Sequence, residues 1–202
     1  LNSVGVAVHR ILTVEDEGSA ILASFEESYN VYDVIVVTGG LGPTHDDITR
    51  TAVCKFFRTD LVSSNEVREQ IQHFLHQRNH EWSPAAENQT LVPNGATVIP
   101  NHHGTAPGEM FERDNKVFII MPGVPYEMES MMRNFVVPFF RSKVQDKFIL
   151  HRSLKTTGIP ESVLASRLGN IDEILHGEKL AFLPTPGGVR MRITVTGTDL
   201  EG

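Results

Sequence analysis

Cysteine is almost missing from this chain. Cys54 stands alone, so no disulfide can form within it, and a reducing, cytoplasmic setting is expected. Basic residues are also in short supply: 18 Lys and Arg face 25 Asp and Glu, a formal net charge of -7. With no basic run either, bulk electrostatics give nucleic acid no surface to bind, and none is expected as a partner. No apolar stretch approaches the ~20 residues of a membrane span, and no signal peptide is visible, so no membrane partner is expected. An initiator Met is lacking too. Leu1-Asn2-Ser3 runs straight into an apolar segment, which reads as the start of a fragment. Internal repeats and low-complexity segments are absent. What remains is 202 residues, 40% hydrophobic and 21% charged, enough for one large or two small globular domains.

The apolar pattern predicts alternating elements. Gly5 to Val14 is rich in β-branched residues and reads as a strand. A helix capped by Glu15 or Asp16 follows to about Glu27, with Gly18, Ile21, Leu22 and Phe25 on one stripe. Val34 to Thr38 is a near-continuous apolar run of the kind found in sheets covered on both faces. Asp47 sits where an N-cap belongs for a helix through Ile48, Ala52, Val53 and Phe56. The β-α-β-α order of the first sixty residues predicts an α/β fold with a mostly parallel sheet. Asn65 to Asn79 reads as a helix burying Val67, Ile71, Phe74 and Leu75, and residues 83–95 as a polar loop closing in a turn. Ala96 to Ile99 reads as a strand, and Met110 to Met121 as a hairpin turning at Asp114-Asn115. A helix from Tyr126 carries a Met128, Met131, Met132 and Phe135 stripe until Pro138. After about Arg141 the pattern changes to strands around a short helix. Residues 1–141 are thus expected to form one domain and residues 148–202 a small α+β domain.

The stretch with most chemistry runs from Val34 to Thr49. A strand ends at Thr38, a glycine turn follows (Gly39, Gly40, Gly42), then Pro43, Thr44, His45, Asp46, Asp47 and a helix. Glycines let backbone N–H groups approach an oxyanion, and a helix N-terminus favours negative charge. Two carboxylates beside such a cradle call for a divalent cation such as Mg2+. The competing reading is a tight strand-to-helix turn with Asp46 or Asp47 merely complementing the helix dipole. Two further loops match the pattern: Asn101 to Gly108, whose Gly104, Thr105 and Ala106 are small, and Gly123, Pro125 and Glu127 at another strand end. In an open α/β sheet such ends converge on one crevice. Glu127 falls off the methionine stripe; it either reaches a ribose or metal, or serves the helix dipole alone. His73, His76 and His80 share a helical face opposite the apolar one and read as solvated rather than as a zinc site. Cys54 reads as a small hydrophobe.

T-G-G-L-G-P-T-H-D-D-I-T resembles the signature of the molybdopterin-binding (MoaB/MogA-like) domain in its CinA branch. Three more blocks match that family in order: P-N-H-H-G-T-A-P-G at 100–108, M-P-G-V-P-Y-E-M at 121–128, and R-S-L-K-T-T-G-I-P-E-S with L-P-T-P-G-G-V-R-M-R in the last fifty residues. The resemblance covers nearly all of the chain. It implies a three-layer, molybdopterin-binding-like α/β domain followed by a small KH-like domain. The family's first strand and helix, with their G-[DN]-E-[IL]-L motif, are expected to be missing here, as is the amidase domain that often follows. Asp47 matches the essential acid of MogA-like proteins, and Asp46 is the additional acid of the CinA branch. The G-x-x-G clamp of RNA-binding KH domains is not evident, so the small domain is expected to serve homo-oligomer formation.

The activity implied by the resemblance is metal-dependent hydrolysis of a nucleotide pyrophosphate such as ADP-ribose. Asp46 and Asp47 are the expected catalytic and metal-holding pair. Thr38, Gly39, Gly40, Gly42, Thr44, Asn101, Gly104, Thr105, Ala106, Gly108, Gly123, Pro125 and Glu127 are expected to bind the nucleotide diphosphate. The alternatives are pterin-nucleotide binding or adenylyl transfer, and a non-catalytic module that oligomerises an amidase.

Overall fold

All five residues of V-I-V-V-T are β-branched, which favours extended backbone, and they form strand β1 (Val34–Thr38). The computed structural model describes residues 1–42, 47–143 and 148–197. It divides them into two units, one of Leu12–Val136 and one joining Leu1–Ile11 to the chain from Val137 onward.

In the first unit, α1 (Gly18–Val31) turns Ile21 and Phe25 inward, at the i, i+4 spacing of one helical face. After β1 come α2 (Thr49–Phe57), β2 (Leu61–Ser63), α3 (Asn65–Gln77), α4 (Pro84–Gln89), β3 (Leu91–Pro93), β4 (Thr97–Ile99), β5 (Gly108–Arg113), β6 (Lys116–Met121) and α5 (Pro125–Met131). The main sheet has the order β1-β6-β5-β4. β1 runs parallel to β6, with Val34 opposite Val117 and Thr38 opposite Met121. β6 and β5 form an antiparallel hairpin, and β4 adds antiparallel to β5. The hairpin turns at Asp114 and Asn115, with φ of 55° and 61°, the left-handed pair that a two-residue hairpin needs. Ser64 and Ser83 cap α3 and α4 by accepting from the N–H groups of Val67 and Ala86. These helices pack Val67, Ile71 and Ala86 with Val92 into a satellite core beside the β2-β3 ribbon.

Alternation along the sheet sends residues to two cores. Ile35, Phe111, Phe118 and Ile120 meet α1 and α2 through Phe25, Val53 and Phe57. Phe57 stacks on Phe111 with ring centroids 4.1 Å apart, and Phe118 meets Phe25 edge-on at 5.0 Å. On the other face, Gly108 has no Cβ because Ile99 and the Met131 sulfur of α5 lie where one would go, at 3.0 and 3.3 Å. Helices therefore cover both faces, as the α/β class requires.

Several sequence expectations are corrected. Gly5 to Val14 is not a strand; Ile11 is 86% exposed. β-branched residues form a strand only where a partner ladder takes their backbone groups. Asp47 does not cap α2: Ile48 occupies that position without a side-chain bond. Residues 83–95 contain α4 and β3 rather than a plain loop. Glu127 lies on the inward face of α5, four residues before buried Met131, and is only 8% exposed. The methionine stripe is rotated toward Glu127 relative to the sequence reading.

The second unit holds a 3-10 turn at Asn2–Val4, α6 (Val137–Lys143), β7 (Phe148–Thr156), α7 (Glu161–Leu168), α8 (Ile171–Leu175), β8 (Lys179–Thr185) and β9 (Gly188–Gly197). Pro138 lies inside α6 rather than ending a helix. A π-helical turn at Met132–Val136 joins α5 to α6 without a break, and such a widened turn is where a helix accommodates a proline that has no N–H to donate. β7, β9 and β8 form an antiparallel sheet in that order, with Leu164, Val189 and Met191 as its core. Among the described residues, no helix is long and apolar enough to cross a membrane.

Candidate active site

Parallel neighbours in a sheet end at the same edge, so the loops after β1 and β6 must meet. The N–H of Gly39 donates to the Met121 carbonyl at 2.9 Å. Beyond it, the Cα of Gly39 lies 3.2 Å from where a Cβ on Gly123 would stand. Between these ends and the loop after β4 lies a cleft of about 360 Å3 lined by Gly39 to Gly42, Asp47, Thr105, Ala106, Pro122 to Val124 and Glu127. Gly40 takes φ +68°, and a Cβ there would collide with the Thr49 hydroxyl. Only glycine allows the chain to turn so closely onto the start of α2.

The two carboxylates of the cleft are set in the same way. The carboxylate of Asp47 lies across Gly42, with its Cγ 2.9 Å from where a Cβ would be. Glu127 lies across Gly104, with Oε2 at 2.5 Å. Each glycine gives up its side-chain volume to an acid, Asp47 just before α2 and Glu127 in the first turn of α5. Asn101, 1% exposed, holds the second of these. Its Nδ2 donates to Glu127 Oε2 at 2.7 Å and to the Ala106 carbonyl at 2.8 Å, while its Oδ1 accepts from the His103 N–H at 3.0 Å. Gln70 of α3 donates to the Asn101 carbonyl at 2.6 Å. Every polar atom of the Asn101 side chain is thus engaged, which fixes the loop and the carboxylate together.

Of the residues expected at the site, Gly39, Gly40, Gly42, Asp47, Thr105, Ala106, Gly123 and Glu127 line the cleft. Asn101 and Gly104 stand behind Glu127. Thr38 is exposed at the end of β1, Pro125 is exposed at the first position of α5, and Gly108 is buried within the sheet. Pro43, Thr44, His45 and Asp46 lie outside the described residues. His73, His76 and His80 are exposed. Among the described residues, no three His, Cys, Asp or Glu side chains gather as a metal cluster. Cys54 is half-buried, and burial pushes its thiol pKa up, away from the thiolate a nucleophile needs. Tyr126, beside Glu127 in α5, is 59% exposed, with the His103 ring edge-on at 6.0 Å.

A buried polar group behind the glycine turn was not expected from the sequence. Arg50 of α2 donates from Nε to Glu109 Oε1 at 3.2 Å, and from Nη2 to the Leu41 carbonyl at 3.3 Å and Gln89 Oε1 at 3.2 Å. Gln89 Nε2 donates to the same Leu41 carbonyl at 3.1 Å. Glu109 is fully buried, and its Oε2 has no hydrogen-bond partner among the described residues. Desolvation outweighs the neighbouring guanidinium and raises its pKa to about 7. The signal in the sequence was an acid, Glu109, on the same strand face as the core residue Phe111, two residues on.

Comparison with known proteins agrees with this anatomy. Residues 1–142 match the family described as "Probable molybdopterin binding domain", and residues 151–202 match the "Damage-inducible protein CinA KH domain". A CinA-like protein of Chloroherpeton thalassium is 40% identical over 206 residues, covering 100% of this chain and 49% of that protein. A CinA-like protein of Flavobacterium psychrophilum is 37% identical over 201 residues, covering 98% of this chain and 48% of that one. This chain therefore spans about half the length of the curated relatives it matches. The crystal structure of CinA from Thermoplasma acidophilum, a protein "with unknown function", aligns with a TM-score of 0.52 and 32% identity, covering 58% of this chain and 69% of that one. The glycine turn, the 100–108 loop and the β6–α5 junction all fall in the first matched region, and the chain belongs to the CinA-like family, a molybdopterin-binding-type domain followed by a CinA KH domain.

Proposed function

We propose that the cleft binds the diphosphate of a nucleotide and hydrolyses its P–O–P bridge, with ADP-ribose as the substrate. The observation that carries this reading is the meeting of three small-residue loops with two carboxylates in one cleft. Glycine and alanine leave backbone within reach of phosphate oxygens, and a diphosphate beside Asp47 and Glu127 calls for a cation between them. Carboxylate oxygens suit a hard divalent ion, and Asp47 and Glu127 of the cleft would hold it, with the remaining ligands from substrate and water. Such an ion, when bound, supplies neutralisation of charge developing on the phosphoryl oxygens.

The chain itself supplies position. The turn at 39–42 and Thr105-Ala106 hold the diphosphate from two sides, with Pro122 to Val124 completing the lining. Water adds to one phosphorus as the bridging oxygen leaves with the bonding electron pair, giving AMP and ribose 5-phosphate. Gain in rate comes from alignment and fixed dipoles rather than a covalent intermediate. Incubation with ADP-ribose and Mg2+ or another divalent ion is expected to release AMP, and Asp47→Asn to lower turnover about a hundredfold or more. Full activity of Asp47→Asn, or no metal-dependent turnover by the full-length protein, overturns the reading.

A second reading, that the cleft holds the phosphate of a pterin, is supported by the description of the matching family. Calorimetric titration with ADP-ribose and with a phosphorylated pterin separates the two. The small unit is proposed to serve association between copies, which light scattering on the full-length protein tests.

A further inference from the structure

Leu41 sits in the middle of the glycine turn, with its side chain buried in the main core and its carbonyl facing Arg50 and Gln89. Glu109, the other partner of Arg50, directly follows Gly108, where the loop that begins at Asn101 enters β5. One guanidinium therefore bonds to both walls of the cleft at once: the turn through the Leu41 carbonyl, and the 101–108 loop through the strand it feeds. Gln89 closes the triangle from α4, bonded both to Arg50 and to Leu41. None of the three side chains lines the cleft.

The chemistry of the residues explains why this arrangement needs arginine. A guanidinium spreads five donors over a rigid plane, so it reaches acceptors set well apart, whereas the ammonium of lysine offers its three donors from a single point on a flexible stem. A buried ion pair adds little net stability over apolar side chains of the same volume. Its distinctive contribution is directional. A backbone carbonyl that accepts from two buried donors cannot rotate, and Gly40 and Gly42 on either side of Leu41 have no side chains to hold the turn otherwise.

We propose that Arg50, Gln89 and Glu109 form a buried tie that holds the glycine turn and the 101–108 loop at a fixed spacing, and so sets the affinity of the cleft for a diphosphate. The three are positioning residues. The effect on affinity rests on the diphosphate reading; the tie itself rests on geometry alone.

The test uses Arg50→Lys, Gln89→Leu, Arg50→Met and the double variant Arg50→Met/Glu109→Met in the whole chain. Three quantities are read: the urea midpoint, amide hydrogen exchange in the peptide covering residues 34–42, and the affinity for inorganic pyrophosphate with Mg2+ by calorimetry. Gln89→Leu and Arg50→Lys, the milder changes, are expected to exchange faster in 34–42 and to bind pyrophosphate about tenfold more weakly. The double variant is expected to regain stability relative to Arg50→Met, because no buried charge is left unpaired, yet to keep fast exchange and weak binding. Recovery of exchange and binding along with stability would show a purely structural role and overturn the tie. Unchanged exchange in 34–42 for folded Gln89→Leu overturns it as well. If the wild-type chain binds no pyrophosphate, the diphosphate reading and the effect on affinity fall together, and the exchange result still decides whether the tie exists.

Discussion

Asn101, in the loop after β4, and Glu127, in the first turn of α5, are 26 residues apart and meet inside the cleft wall at 2.7 Å, amide to carboxylate. The same amide nitrogen holds the Ala106 carbonyl, so one buried side chain shapes the loop and aims the acid. Converting that donor to an acceptor is the sharpest probe of the pair. Asn101→Asp places two carboxylates in contact in a buried setting and is expected to destabilise the fold by about 3 kcal/mol or more. Asn101→Ala only removes hydrogen bonds and is expected to lose about 1–3 kcal/mol. Urea unfolding of both variants gives the order; equal losses would show that the carboxylate is not held by this amide.

Gly104→Ala tests the placement of Glu127 from the opposite side. The added Cβ would stand 2.5 Å from Oε2 and 2.7 Å from Cδ, so the carboxylate has to move. Turnover of the diphosphate substrate is expected to fall about tenfold or more, since small displacements of a reacting group are costly. The fold should lose far less than the site does. A variant with wild-type kcat and KM would remove Glu127 from the site.

Glu109 makes stability depend on pH in a direction opposite to that of a salt-bridged surface acid. Its folded pKa of about 7 lies above the usual 4.5, so the folded chain keeps a proton there that the unfolded chain releases. The stabilisation is complete below about pH 4.5 and is lost as pH rises through about 7. Between about pH 5 and pH 8 the urea midpoint is expected to fall, by an amount on the order of 1–3 kcal/mol in stability for this group. Glu109→Gln, which stays neutral, is expected to flatten that slope. A slope that persists unchanged in Glu109→Gln assigns the titration elsewhere.

Tyr126 is a large exposed ring next in sequence to Glu127, a residue of the cleft lining, and stacking of a nucleotide base on it is a testable extension of the diphosphate reading. Tyr126→Ala is expected to raise KM for ADP-ribose about tenfold, in line with ~1–3 kcal/mol for base stacking on an aromatic. The affinity for inorganic pyrophosphate, which has no base, should not change. Equal weakening of both ligands would make the ring a structural element rather than a base contact.

The glycine turn was legible because its glycines answer a local requirement. Gly40 has a left-handed φ and no room for a Cβ, and such demands are written in residue identity. The hairpin was legible for the same reason, since Asp114 and Asn115 supply the left-handed pair. The segment Gly5 to Val14 misled because β-branched composition says nothing of a partner strand. Asp47 misled because an N-cap and a site acid are the same residue type at nearly the same place. Helix phase decided Glu127: a small rotation of α5 moved it from an apparent outer face to the cleft wall.

By itself the sequence determined the local elements of the sheet and the identity of the loops that carry chemistry, because both follow from periodicity and from glycine, proline and acid at fixed spacing. It also carried four ordered blocks that mark the family. Only the tertiary structure decided which loops meet. The parallel pairing of β1 with β6 brings residues 39–42 against 122–124. The Arg50–Gln89–Glu109 group joins positions 39 and 59 residues apart. Hydrogen bonds between such distant positions leave no period in a sequence; they exist only once the chain has been packed around them.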